Sequence, residues 1–141
     1  NNLQDDVPVD RWQICRFFPP SHVLIDVGVA HAGNGGFEAD PKYKAGSVVV
    51  DFITPETETS TWYFWGMARN FNATDKALTS QITQNLSKVF LEDKEMLERQ
   101  QKNIDRTQRP LLSLNIDGGG MYARKIIERL VADENAAQEV V

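Results

Sequence analysis

The chain has 141 residues, 41% of them hydrophobic and 25% charged, which suits one soluble globular domain with a core of its own. Its net charge of −5 argues against nucleic acid or an anionic membrane as partner. No run of about 18 apolar residues marks a transmembrane helix, and the polar, acidic start at residues 1–6 is unlike a signal peptide. A single cysteine excludes an internal disulfide and fits a reducing cytoplasm.

The first half reads as strands. Residues 11–18 are rich in aromatic and branched side chains and stop at Pro19-Pro20. Within them Cys15 alternates with Gln13 and Phe17 and is expected to be a small core residue. Residues 22–30 alternate Val23, Ile25, Val27 and Val29 against Leu24, Asp26, Gly28 and Ala30, the period of a strand. The glycine-rich stretch 31–46 predicts a long loop. Residues 47–53 and 59–69 predict two more strands, joined by Thr54-Pro55-Glu56-Thr57-Glu58, a length that suits an antiparallel hairpin. Trp62, Phe64 and Trp65 are expected in the core, one or two of them lining a pocket.

The second half reads as helix. Asn72-Ala73-Thr74-Asp75 supplies capping residues for a helix over residues 75–104, long enough that an internal break is conceivable. Residues 111–116 predict a short strand or extended strap. Asp117 can cap a last helix over residues 121–137, with Ile126, Ile127, Leu130 and Val131 on one face. Strands first and a long helix last predict an α+β domain.

Asp93 stands out in the long helix. At about 100° per residue, Leu78, Ile82, Leu86, Val89, Phe90, Met96, Leu97 and Ile104 fall within about 60° of it, while Glu92, Lys94, Glu95, Glu98 and Arg99 fall outside. One acid therefore points at the core, where it needs a cation, strong donors or a metal. Spacing alone favours a structural acid paired with Arg69 or Arg124.

The same segment carries a resemblance. Phe90-Leu91-Glu92-Asp93-Lys94-Glu95-Met96-Leu97-Glu98 resembles the C-terminal catalytic helix of vanillate O-demethylase oxygenase subunits, a family of Rieske non-haem iron oxygenases. Three further stretches resemble the family in the same order: Phe52-Ile53-Thr54-Pro55-Glu56-Thr57-Glu58, WYFWGMARNF over residues 62–71, and LSLNIDGGGMYAR over residues 112–124. The resemblance as a whole covers most of residues 10–132.

The resemblance implies a helix-grip (Bet v 1/START-like) fold, a curved antiparallel sheet around a long C-terminal helix with a pocket between them. It implies that Asp93 is the acidic ligand of a mononuclear Fe(II) otherwise held by two histidines. A Rieske 2Fe-2S cluster needs paired cysteines and histidines. The chain has one cysteine, two histidines and no Asp-x-x-His-x-x-x-x-His stretch. Residues 1–141 are therefore expected to be the C-terminal part of a catalytic domain, with the Rieske domain and the iron histidines elsewhere.

The implied activity is hydroxylation or O-demethylation of a small aromatic compound with dioxygen, through a hemiacetal that loses formaldehyde. Electrons would come from NAD(P)H through a flavin and iron–sulfur reductase, and the family's assembly implies a homotrimer. A metal-free helix-grip domain that binds a small apolar ligand is the alternative.

Two pocket residues are expected, Ile25 and Asp51. Some relatives carry a histidine facing substrate where this chain has Asp51, and an ionised acid there would disfavour an aromatic carboxylate. The competing reading of Asp51 is an exposed acid on an edge strand. Asp26 is a weaker candidate of the same kind. His22 and His31 lack a trustworthy metal spacing and are expected at the surface. Gly118-Gly119-Gly120 lacks a phosphate-binding context and is expected to form a turn with close packing.

Overall fold

The computed structural model describes residues 6–109 and 112–138. Four strands, β1 (Val9–Phe18), β2 (His22–His31), β3 (Lys44–Pro55) and β4 (Thr61–Arg69), form one antiparallel sheet in the order β1-β2-β3-β4. Two helices follow, α1 (Lys76–Thr107) and α2 (Gly118–Gln138). This is the expected α+β architecture, and a four-stranded antiparallel sheet with a long C-terminal helix is consistent with a helix grip. The strand at 47–53 is longer than predicted and begins at Lys44. The loop before it is correspondingly shorter and is tightened by 3-10 turns at Gly36–Glu38 and Pro41–Tyr43.

α1 is unbroken. Its N-cap Asp75 accepts from the Leu78 N–H at 2.9 Å, and Gln108 ends it in the left-handed region at φ 50°. Leu78, Ile82, Leu86 and Phe90 form its half-buried stripe. Two anchors fix where it lies. At the start, Arg69 at the end of β4 donates to the carbonyls of Phe71, Asn72 and Asp75 and to Thr79 Oγ1, at 2.8–3.0 Å. Further along, the Phe90 ring packs edge-on against Tyr63 at 5.6 Å and at a tilt of 30° against Trp65 at 4.9 Å. From Thr79 to Phe90 the helix advances about 16 Å. The strand from Arg69 back to Tyr63 and Trp65 covers about 13–20 Å. The helix thus runs back along β4 over one face of the sheet.

Strand pleating places Asp51, Val49, Ser47 and Ala45 of β3 on that covered face. By register Ile25 and Val27 of β2 and Tyr63, Trp65, Met67 and Arg69 of β4 share it. The opposite face has its own cluster. Gly28 leaves room for the Trp12 ring; a Cβ there would meet that ring and come within 2.5 Å of the Ala45 carbonyl oxygen. Phe37 packs edge-on against Trp12 at 5.9 Å, and Lys44 Nζ lies 5.4 Å over Phe37. At the far end of this face Phe18, His22, Phe52 and Phe64 lie in one row across all four strands.

The sheet is only partly covered. The accessible surface of 11224 Å² compares with roughly 7,400 Å² for a compact monomer of this mass. Among the described residues, the buried apolar core consists of Ala30, Ala39, Ala45 and Val49. This openness corrects several expectations. Cys15 is exposed, because α1 lies along β4 and leaves the same face of β1 bare. Trp62 and Phe64 are 56% and 54% exposed on the face away from α1, where they stack on each other, and Trp65 alone of the three aromatics lies under the helix.

The region after α1 also differs. Leu111 lies outside the described residues, residues 112–114 form no strand, and Asn115–Asp117 is a 3-10 turn. Asp117 turns back to accept from the Leu114 N–H at 2.8 Å. α2 accordingly starts at Gly118, earlier than predicted. The three glycines form its first turn with nothing within 4 Å of an added Cβ, so close packing does not explain them. Among the described residues no helix is long and apolar enough to cross a membrane.

Candidate functional site

Asp51 is the unusual group of the covered face. β3 is an interior strand, between β2 and β4, so the edge-strand reading fails: Asp51 is only 3% exposed. The Tyr63 hydroxyl hydrogen-bonds its carboxyl, while Oδ1 has no partner. A buried polar atom left unpaired costs about 1–3 kcal/mol, and more when charged. Burial accordingly raises the Asp51 pKa above the usual carboxylate value, and the Tyr63 hydrogen bond only partly opposes it. That bias toward the neutral form weakens the expected repulsion of an aromatic carboxylate. Tyr63 itself is held well above its ordinary range, first by burial, then by Asp51, and last by the charge of Asp93.

Ile25 stands on the same face. It pairs with Val49, and Asp51 is two residues further along β3. Ile25 and Asp51 are therefore diagonal neighbours, about 7–8 Å apart. Ile25, Val49 and Met67 lie side by side across β2, β3 and β4. They make an apolar floor between the Arg69 anchor and the Phe90 anchor. At the Arg69 end the face opens into a cavity of about 440 Å³, lined by Arg11, Val27, Val29, Ala45, Ser47 and Phe71 among others.

Asp93 is exposed in this chain, which corrects the reading of a buried acid. The helical period was read properly, but the sheet runs out. Beyond Tyr63, β4 has roughly 7 Å left, while α1 continues for roughly 25 Å past Phe90. Asp93 therefore sits at the rim, and Met96 and Leu97 beyond it are open to solvent. Neither Arg69 nor Arg124 pairs with it. Arg69 is engaged at the start of α1, and the ion pairs near Asp93 are Lys94–Glu98 and Arg99–Glu95. It follows Phe90, which packs on the sheet, by less than one helical turn, so it lies on the side of α1 toward the sheet.

The remaining candidates are structural. Asp26 points to the opposite face, where it accepts from Trp12 Nε1 at 2.9 Å and lies 3.5 Å from Arg16. His22 packs edge-on against Phe52 at 4.9 Å, and His31 lies 6.1 Å from Tyr43 at the other end of β2. Both are half-buried instead of fully at the surface. Among the described residues no three of His, Cys, Asp and Glu are grouped to hold a metal. Asp93 fits an iron site as one carboxylate with no cation attached, and these residues do not complete such a site by themselves. Tyr63 was not singled out from sequence. Its signal is parity: once the hairpin register pairs Asp51 with Trp65, Tyr63 must share their face.

Comparison with known proteins fits this frame. The family described as vanillate O-demethylase oxygenase C-terminal domain matches residues 2–133. The chain is 64% identical, over 98% of its length and 42% of the relative's, to a vanillate O-demethylase oxygenase subunit of Pseudomonas sp. (strain ATCC 19151). It is 61% identical, over 99% of its length and 40% of the relative's, to the subunit of that name from Pseudomonas sp. (strain HR199 / DSM 7063). A toluene-4-sulfonate monooxygenase system iron-sulfur subunit of Comamonas testosteroni is 37% identical over 89% of the chain and 37% of its own length. The chain thus spans about two fifths of the length of these relatives. No solved structure matches it. These likenesses do not favour the metal-free binding module, and the chain belongs to the vanillate O-demethylase oxygenase C-terminal domain family.

Proposed function

We propose that the whole protein is the oxygenase component of a Rieske non-haem iron monooxygenase that O-demethylates a methoxylated aromatic compound, vanillate first among them. The observation that carries this reading is the 64% identity to a vanillate O-demethylase oxygenase subunit over nearly the whole chain. Residues 1–141 would be the C-terminal part of its catalytic domain. The Rieske domain and two iron histidines would lie elsewhere in the protein.

Asp93 would be the carboxylate ligand of the mononuclear iron. A single carboxylate balances part of the ion's charge and leaves positions open beside two histidines. When bound, the Fe(II) would supply the activation of dioxygen. The residues of this chain would bind and orient the substrate. Ile25, Val49 and Met67 offer an apolar floor for an aromatic ring, and Trp65 and Phe90 close the end nearest Asp93 against water. Asp51 would contact the substrate at its polar rim. A flavin and iron–sulfur reductase using NAD(P)H, a homotrimeric assembly and a cytoplasmic location complete the proposal.

The test uses the full-length oxygenase with its reductase, NADH and vanillate. Formaldehyde release is expected, and its absence from vanillate and other methoxybenzoates overturns the function. Asp93→Ala should lose mononuclear iron by metal analysis and lose turnover, while the Rieske absorption persists. Full activity in that variant removes Asp93 from the iron site.

A further inference from the structure

Asp51 presents an unresolved polar demand at the centre of an apolar surface. The carboxyl is 3% exposed, one oxygen has no partner, and the Tyr63 hydroxyl engages the group from β4. Buried polar atoms are almost always satisfied, so an orphan of this kind marks a place for a partner the chain does not supply. Among the described residues no lysine or arginine is ion-paired with Asp51, and Arg69 of the same face is committed to three carbonyls and Thr79.

The surroundings narrow the chemistry of the partner. The neighbouring floor of Ile25, Val49 and Met67 is apolar, which suits a ring. The side chains beside Asp51 are aromatic: Trp65 is its cross-strand partner, and the Phe90 ring packs against Trp65 and Tyr63. An aromatic ligand can replace such contacts like for like. The partner at Oδ1 is then a hydrogen-bond donor on the edge of that ring.

We propose that Asp51 and Tyr63 form a recognition pair for a phenolic hydroxyl: Tyr63 donates to the Asp51 carboxyl and holds it in place, and Oδ1 accepts from the hydroxyl of the ligand. Asp51 is the binding group and Tyr63 the positioning residue. Tyr63 meets Phe90, and Asp93 follows Phe90 by less than one turn of α1, so the pair lies on the side of the floor nearest that acid. A hydroxyl anchored at Asp51 directs the adjacent ring substituent toward that end. The pair therefore selects a methoxyphenol over a dimethoxybenzene and sets which substituent faces α1. This inference rests on the proposed aromatic substrate class.

The experiment compares dissociation constants of vanillate and of its methyl ether at the free hydroxyl, measured by titration calorimetry on the full-length oxygenase. Wild type is expected to prefer vanillate by about tenfold or more, the scale of one hydrogen bond to a carboxyl group. Asp51→Val should abolish the preference. Asp51→Asn should keep much of it, because the amide oxygen still accepts. Tyr63→Phe keeps the ring under Phe90 and should reduce the preference; a purely structural role would weaken both ligands alike and leave the ratio intact. Tyr63→Phe also serves as the test if Asp51→Val fails to fold. Equal affinities in wild type, or an unchanged ratio in Asp51→Val or Tyr63→Phe, overturn the proposal. If vanillate is demethylated while the two ligands bind alike, the oxygenase function stands and the recognition pair falls. If neither ligand binds, both fall.

Discussion

Asp26 and Asp51 sit on neighbouring strands of one sheet and face opposite ways, and their situations are opposite too. Asp26 is half-buried and served on both sides, by the Trp12 indole N–H and by Arg16. Asp51 is sealed in, has Tyr63 alone, and keeps an oxygen with no partner. The first acid stabilises its face; the second costs stability in the chain as it stands. A group retained at a cost is the better candidate for function, and a group fully satisfied by its own fold is the better candidate for structure.

Three substitutions sharpen or break that contrast. The largest effect is expected at Gly28, beneath Trp12. Gly28→Ala drives a methyl group into the ring that donates to Asp26 and toward the Ala45 carbonyl, and should destabilise by about 1–3 kcal/mol. A urea midpoint measures it, and an unchanged midpoint would mean that the Trp12 cluster contributes little. Asp26→Ala should come next, at about 1–2 kcal/mol, mainly through the indole N–H left without an acceptor. The Arg16 pair adds at most about 1 kcal/mol to that, because it is partly exposed.

The smallest effect, and the most diagnostic, belongs to Asp51→Asn. Burial raises the Asp51 pKa in the folded chain, so the folded state binds the proton more tightly than the unfolded state. The contribution of Asp51 to stability therefore falls as pH climbs from the unfolded carboxylate value, about 3.9, through the raised folded value. Asparagine lacks that slope. Thermal midpoints of the two proteins should diverge in favour of the variant as pH rises from about 4 to about 7. Parallel curves would mean that Asp51 is solvated, and the contrast with Asp26 would collapse.

Much of the fold was legible in the chain because periodicity survives in β2 and α1. The alternation from Val23 to Val29 marked β2, and the spacing of Leu78, Ile82, Leu86 and Phe90 marked the face of α1 that meets the sheet. Periodicity separates two faces but does not say which one is covered. That is why Cys15, Trp62 and Phe64 were expected inside and are exposed. Asp93 shows the same limit on a helix: its phase is right, but whether a sheet lies beneath it depends on where β4 ends. Asp51 was ambiguous until strand order placed β3 in the interior. Ile25 was placed by alternation alone, and the register puts it on the face of Asp51.

Arg69 has a consequence for alignment at a distance. Its forked guanidinium reaches three carbonyls and a hydroxyl at once, a set that the point charge of a lysine cannot match. The joint between β4 and α1 is thereby stiff, and α1 works as a lever arm. Asp93 lies about 21 Å along that arm from Thr79. A change of direction of only about 10° at the joint would swing the Asp93 carboxylate sideways by about 4 Å over that length, whereas a metal or substrate site tolerates only about 0.5 Å. A conservative Arg69→Lys exchange, far from any chemistry, would then register first as a lost alignment at Asp93.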